Sequence, residues 1–122
     1  HKVIDFMPGQ SDEIDKGGTL RLGSYPCLIT PDTTMARCYQ KTEITERHRH
    51  RYEFNNDYRR QMTDAGLVIS GVSPDQRLVE TVELSQHPFY VGVQYHPEFK
   101  SRPNKPHPLF MGLVEAALKE NV

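Results

Sequence analysis

The chain has 122 residues, a hydrophobic fraction of 36% and nine prolines, which fits one domain or a large piece of one with a sparse core. Its 15 basic and 16 acidic side chains nearly cancel, so no global field would draw it to nucleic acid or to an anionic membrane. No apolar run approaches the ~20 residues that a bilayer span needs, and we expect a soluble protein.

The first third of the chain predicts a strand, a loop, a second strand and a short helix. Residues 3–7 read as a strand or the end of one with nothing before it, which we interpret as a truncated start. Residues 8–19 are polar and glycine-rich without periodicity, which is typical of a solvated loop. The apolar, β-prone residues 19–30 predict a strand, after which Asp32 could cap a helix over 33–40.

The middle of the chain predicts an extended segment, a helix and a hairpin. Residues 43–55 alternate charged and other side chains and should run extended into a turn. Helical spacing over 58–65 ends at Gly66, which is placed to act as a C-terminal cap. Two β-rich runs, 67–72 and 78–84, flank a short polar loop and predict a β-hairpin.

The last third predicts a buried strand and an amphipathic helix. Residues 89–95 form a nearly continuous apolar run, as in a buried strand, and 109–119 carry an apolar stripe at helical spacing. Strands interleaved with helices indicate an α/β fold with a partly antiparallel sheet.

His96-Pro97-Glu98 closes the predicted buried strand and is the most informative motif, because catalytic groups of open α/β sheets gather at such strand ends. A histidine there can act as a general base, while a carboxylate two residues later can bind its other ring nitrogen and fix the tautomer. The proline restricts His96 to an extended conformation. The plain alternative is a pair of solvated loop residues.

A second string, Glu46-Arg47-His48-Arg49-His50-Arg51-Tyr52-Glu53, is rich in cations. It could indicate a phosphate or nucleic-acid patch, although its flanking acids and the balanced charge argue against one. Its composition also fits a solvated edge strand. A metal site built from His48, His50, His96 and Glu98 matches no recognised zinc pattern, so we expect no metal. The remaining histidines, His1, His87 and His107, are expected at the surface.

The string Gln94-Tyr95-His96-Pro97-Glu98-Phe99 resembles the signature that closes class I (triad) glutamine amidotransferases. The resemblance implies a Cys-His-Glu triad with His96 as acid and base and Glu98 as its orienting partner. Together with the Arg-His-Arg-His-Arg-Tyr-Glu string and Gly17-Gly18-Thr19-Leu20-Arg21-Leu22-Gly23, it is similar to CTP synthases in particular. That similarity implies that Arg51 binds the α-carboxylate of L-glutamine, and no catalytic role is assigned to Arg47 or Arg49.

The resemblance further implies the C-terminal half of a flavodoxin-like amidotransferase domain over residues 1–122, with a mixed sheet flanked by helices. The nucleophile elbow G-x-C-x-G and the synthase domain are not in the sequence. Cys27 and Cys38 fit neither that elbow nor a CxxC motif, so we expect structural, reduced thiols in a cytoplasmic protein. The fragment alone should not hydrolyse glutamine.

For the parent enzyme the resemblance implies a ligase of pyrimidine biosynthesis, which makes CTP from UTP, ATP and glutamine-derived ammonia. ATP and Mg²⁺ would bind the synthase domain, since no P-loop pattern occurs in these residues and no cofactor is expected in this segment. Expected partners are L-glutamine and the rest of a homotetrameric enzyme, with no nucleic acid and no membrane. The alternative is a non-catalytic regulatory or interaction module derived from an amidotransferase domain.

Overall fold

The computed structural model describes residues 1–6 and 21–120. The loop predicted over 8–19 and the Gly17-Gly18-Thr19-Leu20 part of the glycine-rich string over 17–23 lie outside these residues. The described residues form seven strands, three α-helices and two 3₁₀ helices. The elements are β1 Ile4–Phe6, β2 Arg21–Ile29, α1 Thr34–Tyr39, β3 Glu43–His50, β4 Tyr52–Phe54, the 3₁₀ helix Asn56–Tyr58, α2 Arg59–Asp64, β5 Val68–Val72, β6 Val79–Glu83, β7 Val91–Val93, the 3₁₀ helix Pro97–Lys100 and α3 Pro108–Glu120.

Five strands form the main sheet in the order β3-β2-β5-β6-β7, and β1 pairs separately with β4. Helices flank this sheet, so the predicted α/β class is confirmed. Every pairing among the described strands is antiparallel, so this part of the predicted mixed sheet contains no parallel pair. Short loops join β5 to β6 and β6 to β7, which suits antiparallel neighbours, because parallel neighbours need long crossovers. The pairs β2-β5 and β1-β4 are separated by several elements along the chain.

Strand β3 shows the period-two alternation that its sequence predicts. Ile44, Glu46 and His48 are buried, whereas Arg47 and Arg49 are exposed. The inward side chains face β2 and the core. The buried apolar cluster contains Cys27, Ile29, Met35, Ile44, Tyr95 and Leu109.

Helix α1 begins one residue later than the sequence predicts, and Asp32 is not its cap. Asp32 has a φ of 62°, and the Thr33 hydroxyl instead accepts the backbone N–H of Ala36 at 3.1 Å. The buried carboxylate of Glu83 accepts the N–H of Thr34 at 2.7 Å. Sequence spacing could not reveal this second acceptor, because Glu83 lies on β6, far along the chain.

The helix and hairpin predicted in the middle of the chain are confirmed. Gly66 follows α2 with a φ of 111°, a conformation that favours glycine, and it ends the helix as expected. Strands β5 and β6 pair antiparallel. Ser73 closes their connecting loop by accepting the N–H of Leu78 through its hydroxyl at 3.0 Å.

The predicted buried strand over 89–95 is wrong in extent and burial. Only β7, Val91–Val93, is strand, each of its residues is half-buried, and it pairs with β6 alone within the described part of the chain. Helix α3 is confirmed, but its apolar stripe is largely uncovered. Leu109 is buried, whereas the exposed members are Phe110, Met111, Leu113, Val114 and Leu118. Apolar composition shows that a segment can be buried, not how much of it is covered.

Candidate active site

His96 and Glu98 are brought together at the predicted strand end. His96 Nδ1 lies 3.2 Å from Glu98 Oε2, within hydrogen-bonding range. Pro97 begins a 3₁₀ helix, and His96 precedes it with φ −113° and ψ 91°, the extended conformation that a following proline favours. The imidazole stacks on Phe99 with ring centroids 4.8 Å apart. The ring is thus fixed on one side and at one nitrogen.

The protonation of this pair follows from its geometry. The hydrogen bond from its own backbone N–H, and then the one from His96, hold the pKa of Glu98 below its ordinary value. An ionised carboxylate only accepts hydrogen bonds, so His96 Nδ1 must donate and Nε2 carries the lone pair. The His96 side chain is 39% exposed, which leaves it accessible to a reacting group. The arrangement can therefore serve as an oriented general base.

Strand β3 holds the loop that carries His96. The backbone N–H of His96 donates to the carbonyl of Arg47 at 2.9 Å. Arg51 lies where β3 ends and β4 begins, and it is half-buried. Within the described residues, no hydrogen bond or ion pair joins Arg51 to His96 or Glu98. The structure brings the histidine and the glutamate together and places Arg51 directly after His50, the last residue of the strand that anchors them.

A buried polar chain that the sequence did not reveal runs beneath this strand. Arg21 Nη1 donates to Glu80 Oε1 at 2.7 Å, and Glu80 Oε2 lies 3.4 Å from His48 Nε2. His48 Nδ1 contacts His50 Nε2 at 2.8 Å, and His50 Nδ1 contacts the Tyr52 carbonyl at 2.7 Å. Glu80 and His48 are each 1% exposed. The sequence indicated that His48 and His50 share a face of the strand. No local pattern indicated that Arg21 or Glu80 belongs to the same chain of contacts.

A second buried cluster corrects the prediction that His107 lies at the surface. His107 is 3% exposed and its Nε2 lies 2.6 Å from Glu46 Oε2. The N–H of Leu109 donates to His107 Nδ1 at 3.1 Å, so Nε2 carries the proton given to Glu46. The Tyr39 hydroxyl also donates to Glu46. The Tyr95 hydroxyl lies 3.0 Å from the Tyr39 hydroxyl. This cluster fixes the residue that immediately precedes His96.

Neither cysteine is suited to act as a nucleophile. Cys27 is fully buried in the core, and burial raises the pKa of its thiol to about 12. Burial also raises the pKa of Cys38, whose sulfur packs so closely on α3 that a Cβ at Gly112 would lie 2.6 Å from it. Both thiols are free, and both are packing groups.

Two other features of the described residues bear on alternative functions. Across residues 1–6 and 21–120, no group of three or more histidine, cysteine or acidic side chains is arranged to hold a metal ion. His48 and His50 instead bond to each other. None of the helices in these ranges is long and apolar enough to span a membrane.

Comparison with known proteins places this geometry in a family. The family model described as "Glutamine amidotransferase class-I" matches residues 2–116. The chain is 63% identical over 119 residues to the CTP synthase of Synechococcus sp. (strain JA-2-3B'a(2-13)). These aligned residues make up 98% of this chain and 22% of that protein. This chain is 64% identical over 118 residues to the CTP synthase of Herpetosiphon aurantiacus, covering 97% and 22% respectively. The chain thus spans about a fifth of the length of these curated relatives.

Two solved structures share the fold. The glutaminase domain of Trypanosoma brucei CTPS with bound acivicin superposes with a TM-score of 0.87 at 36% identity, covering 98% of this chain and 47% of that one. A proposed GMP synthase component from Thermoplasma acidophilum superposes with a TM-score of 0.66 at 13% identity, covering 97% and 49%. The second likeness concerns the fold alone. The predicted class I glutamine amidotransferase fold is confirmed.

Proposed function

Because this chain belongs to the class I glutamine amidotransferase family, we propose that it forms part of the glutaminase site of a CTP synthase. In this proposal His96 is the acid and base, Glu98 orients it, and Arg51 binds L-glutamine. The observation that carries the proposal is the 3.2 Å contact between His96 Nδ1 and Glu98 Oε2, which leaves Nε2 as the basic nitrogen.

The proposed reaction transfers the γ-glutamyl group to a thiol. Nε2 of His96 takes the thiol proton, and the thiolate attacks the γ-amide carbonyl. His96 then gives this proton to the departing nitrogen, which releases ammonia and leaves a γ-glutamyl thioester. A water molecule, deprotonated by His96, hydrolyses the thioester to glutamate. The Glu98 carboxylate stabilises the imidazolium formed in each half of the cycle.

Arg51 is proposed to fix the other end of the substrate. A guanidinium can hold a carboxylate by two parallel charge-assisted hydrogen bonds, which suits the α-carboxylate of glutamine. The half-buried position of Arg51 supports this role, because partial removal from water strengthens such a contact.

The thiol is proposed to come from residues outside this chain, since both of its cysteines are packing groups. Residues 1–122 would then be the C-terminal portion of the amidotransferase domain. Within the described part of the chain, the apolar side chains of α3 are largely exposed and β7 is paired along one edge only, which suits burial against the rest of such a domain. We expect the 122-residue chain by itself to be inactive.

In the whole protein, the released ammonia would convert UTP to CTP at the expense of ATP, and the synthase part would bind ATP together with Mg²⁺. The whole protein is proposed to be a cytoplasmic homotetramer of pyrimidine biosynthesis. The relatives named CTP synthase support the reaction proposed here.

The test is steady-state glutamine hydrolysis by the full-length protein that carries this segment. His96→Gln should lower kcat by at least about 10³-fold, because the thiol loses its base. Arg51→Lys should raise KM, because an ammonium cannot form the two-bond fork. CTP formation from added ammonia should persist in both variants, since it bypasses the thiol chemistry. Unchanged hydrolysis in His96→Gln would refute the proposal and favour a non-catalytic module.

A further inference from the structure

We propose that Glu80, His48 and His50 form a buried relay of hydrogen bonds that positions Arg51 for binding glutamine. The inference rests on the proposed role of Arg51 and adds three positioning residues to it. None of the three is proposed to touch the substrate. Their common effect is to fix the backbone on both sides of Arg51.

The contact that acts on Arg51 is made by its two neighbours. His50 Nδ1 lies 2.7 Å from the carbonyl oxygen of Tyr52, so this hydrogen bond spans Arg51. Here β3 ends at His50 and β4 begins at Tyr52. A bond across the single intervening residue restricts its backbone and hence the direction of its side chain.

The carbonyl oxygen of Tyr52, at one end of the relay, sets which atom is the donor and which the acceptor in each hydrogen bond. The Tyr52 carbonyl can only accept, so His50 Nδ1 carries a proton. Burial lowers the pKa of His50, which leaves its Nε2 as an acceptor for His48 Nδ1–H at 2.8 Å. Burial above all, and then the charge of Arg21, lowers the pKa of His48 to about 3. His48 Nε2 therefore presents a lone pair.

The lone pair of His48 Nε2 needs a proton donor, and the carboxyl of Glu80 at the other end of the relay supplies it. His48 Nε2 faces Glu80 Oε2 at 3.4 Å, and neither atom forms a hydrogen bond of ordinary geometry within the described residues. Two acceptors in a buried position would repel, so the carboxyl must carry a proton between them. The other oxygen of Glu80 accepts a hydrogen bond from Arg21 at 2.7 Å. Arg21 is in turn held over the ring of Tyr25 at 4.4 Å.

The relay lies beside the proposed catalytic histidine without containing it. The backbone N–H of His96 donates to the carbonyl of Arg47 at 2.9 Å, and Arg47 directly precedes His48 on β3. His96 donates its own hydrogen bonds to Glu98 and the Arg47 carbonyl. Loss of the relay should therefore weaken glutamine binding more than it slows the chemical step.

The experiment compares two amides at position 50 in the full-length protein. The amide nitrogen of asparagine occupies the place of imidazole Nδ1, whereas glutamine reaches only the place of Nε2. His50→Asn can keep the bond to the Tyr52 carbonyl, and His50→Gln can keep only the bond to His48. We expect His50→Gln to raise KM for glutamine about tenfold with kcat within about threefold. His50→Asn keeps the bond across Arg51 but loses the link to His48 and Glu80, so we expect it to raise KM by a smaller factor, about three- to fourfold, with kcat again within about threefold.

CTP formation driven by added ammonia is the control for folding, because it needs the whole protein but not the glutamine site. It should be unchanged in both variants. Equal KM values for His50→Asn and His50→Gln, with Arg51→Lys raising KM, would refute the relay while leaving the proposed function standing. A normal KM in Arg51→Lys would refute the role of Arg51 itself, and with it the relay.

Discussion

Replacing Glu80 by glutamine should remove a pH dependence from the stability of this region. Glu80 is 1% exposed, and burial raises its pKa from 4.5 to about 7 despite the neighbouring charge of Arg21. In the relay the protonated carboxyl accepts a hydrogen bond from Arg21 through one oxygen and donates to His48 through the other. The amide of Glu80→Gln offers the same acceptor and the same donor, but it does not titrate.

The sign and size of the effect follow from linkage. The folded protein binds the Glu80 proton more tightly than the unfolded chain does, so its contribution to stability is complete below pH 4.5 and is lost as pH rises through about 7. The shift of about 2.5 pKa units corresponds to roughly 3 kcal/mol in total, of which about 2 kcal/mol falls between pH 5.5 and 7.5. The free energy of unfolding of Glu80→Gln, relative to that of the wild type, should therefore rise by about 2 kcal/mol between pH 5.5 and 7.5.

Hydrogen exchange of the full-length protein gives the local measurement. Peptides covering β2 and β6 would be followed by mass spectrometry at pH 5.5 and 7.5, with correction for the intrinsic exchange rate. The quantity of interest is the difference between variant and wild type, in which the titration of all shared groups cancels. Glu43→Gln, at an exposed position on β3, is the matched control. A constant difference between Glu80→Gln and wild type across the two pH values would refute a protonated Glu80.

Three further outcomes test the packing and the site. Gly71→Ala should destabilise the fold by about 1–3 kcal/mol, since its Cβ would lie 2.6 Å from Thr81 Oγ1; the midpoint of chemical denaturation measures this. Tyr39→Phe should cost about 1–3 kcal/mol in the same assay, because the buried Glu46 carboxylate loses a donor. Glu98→Gln should lower kcat for glutamine hydrolysis by roughly 10²-fold or more, with ammonia-driven CTP synthesis unchanged; an undiminished kcat would contradict the orienting role.

Local patterns predicted most of the elements, because their causes are local. The alternation of β3 follows from the period of a strand, and the end of α2 follows from the need for a positive φ at Gly66. The pairing of His96 with Glu98 was also predictable, since two residues flanking a proline cannot lie far apart. Arg51 was reached only through the family resemblance.

What sequence could not predict was the set of contacts between distant segments. Glu80 and Arg21 are 59 residues apart, and a charged residue within a strand ordinarily predicts an exposed face. His107 lies in a proline-rich segment that predicts a solvated loop, yet it is buried against Glu46 on β3. In each case burial depends on a partner of complementary polarity that only the fold brings close.

The buried polar side chains of β3 help to hold the candidate site. Glu46 and His48 occupy inward positions where apolar side chains would avoid the cost of desolvation, and such replacements are often neutral or stabilising. We therefore expect these two side chains to act chiefly by fixing the geometry of the site rather than by raising the free energy of unfolding. Glu46 accepts a hydrogen bond from Tyr39, whose hydroxyl contacts that of Tyr95, the residue before His96. His48 leads through His50 to Tyr52, the residue after Arg51. One strand thus sets both the proposed base and the proposed substrate clamp, and a substitution at either inward position should alter one without the other.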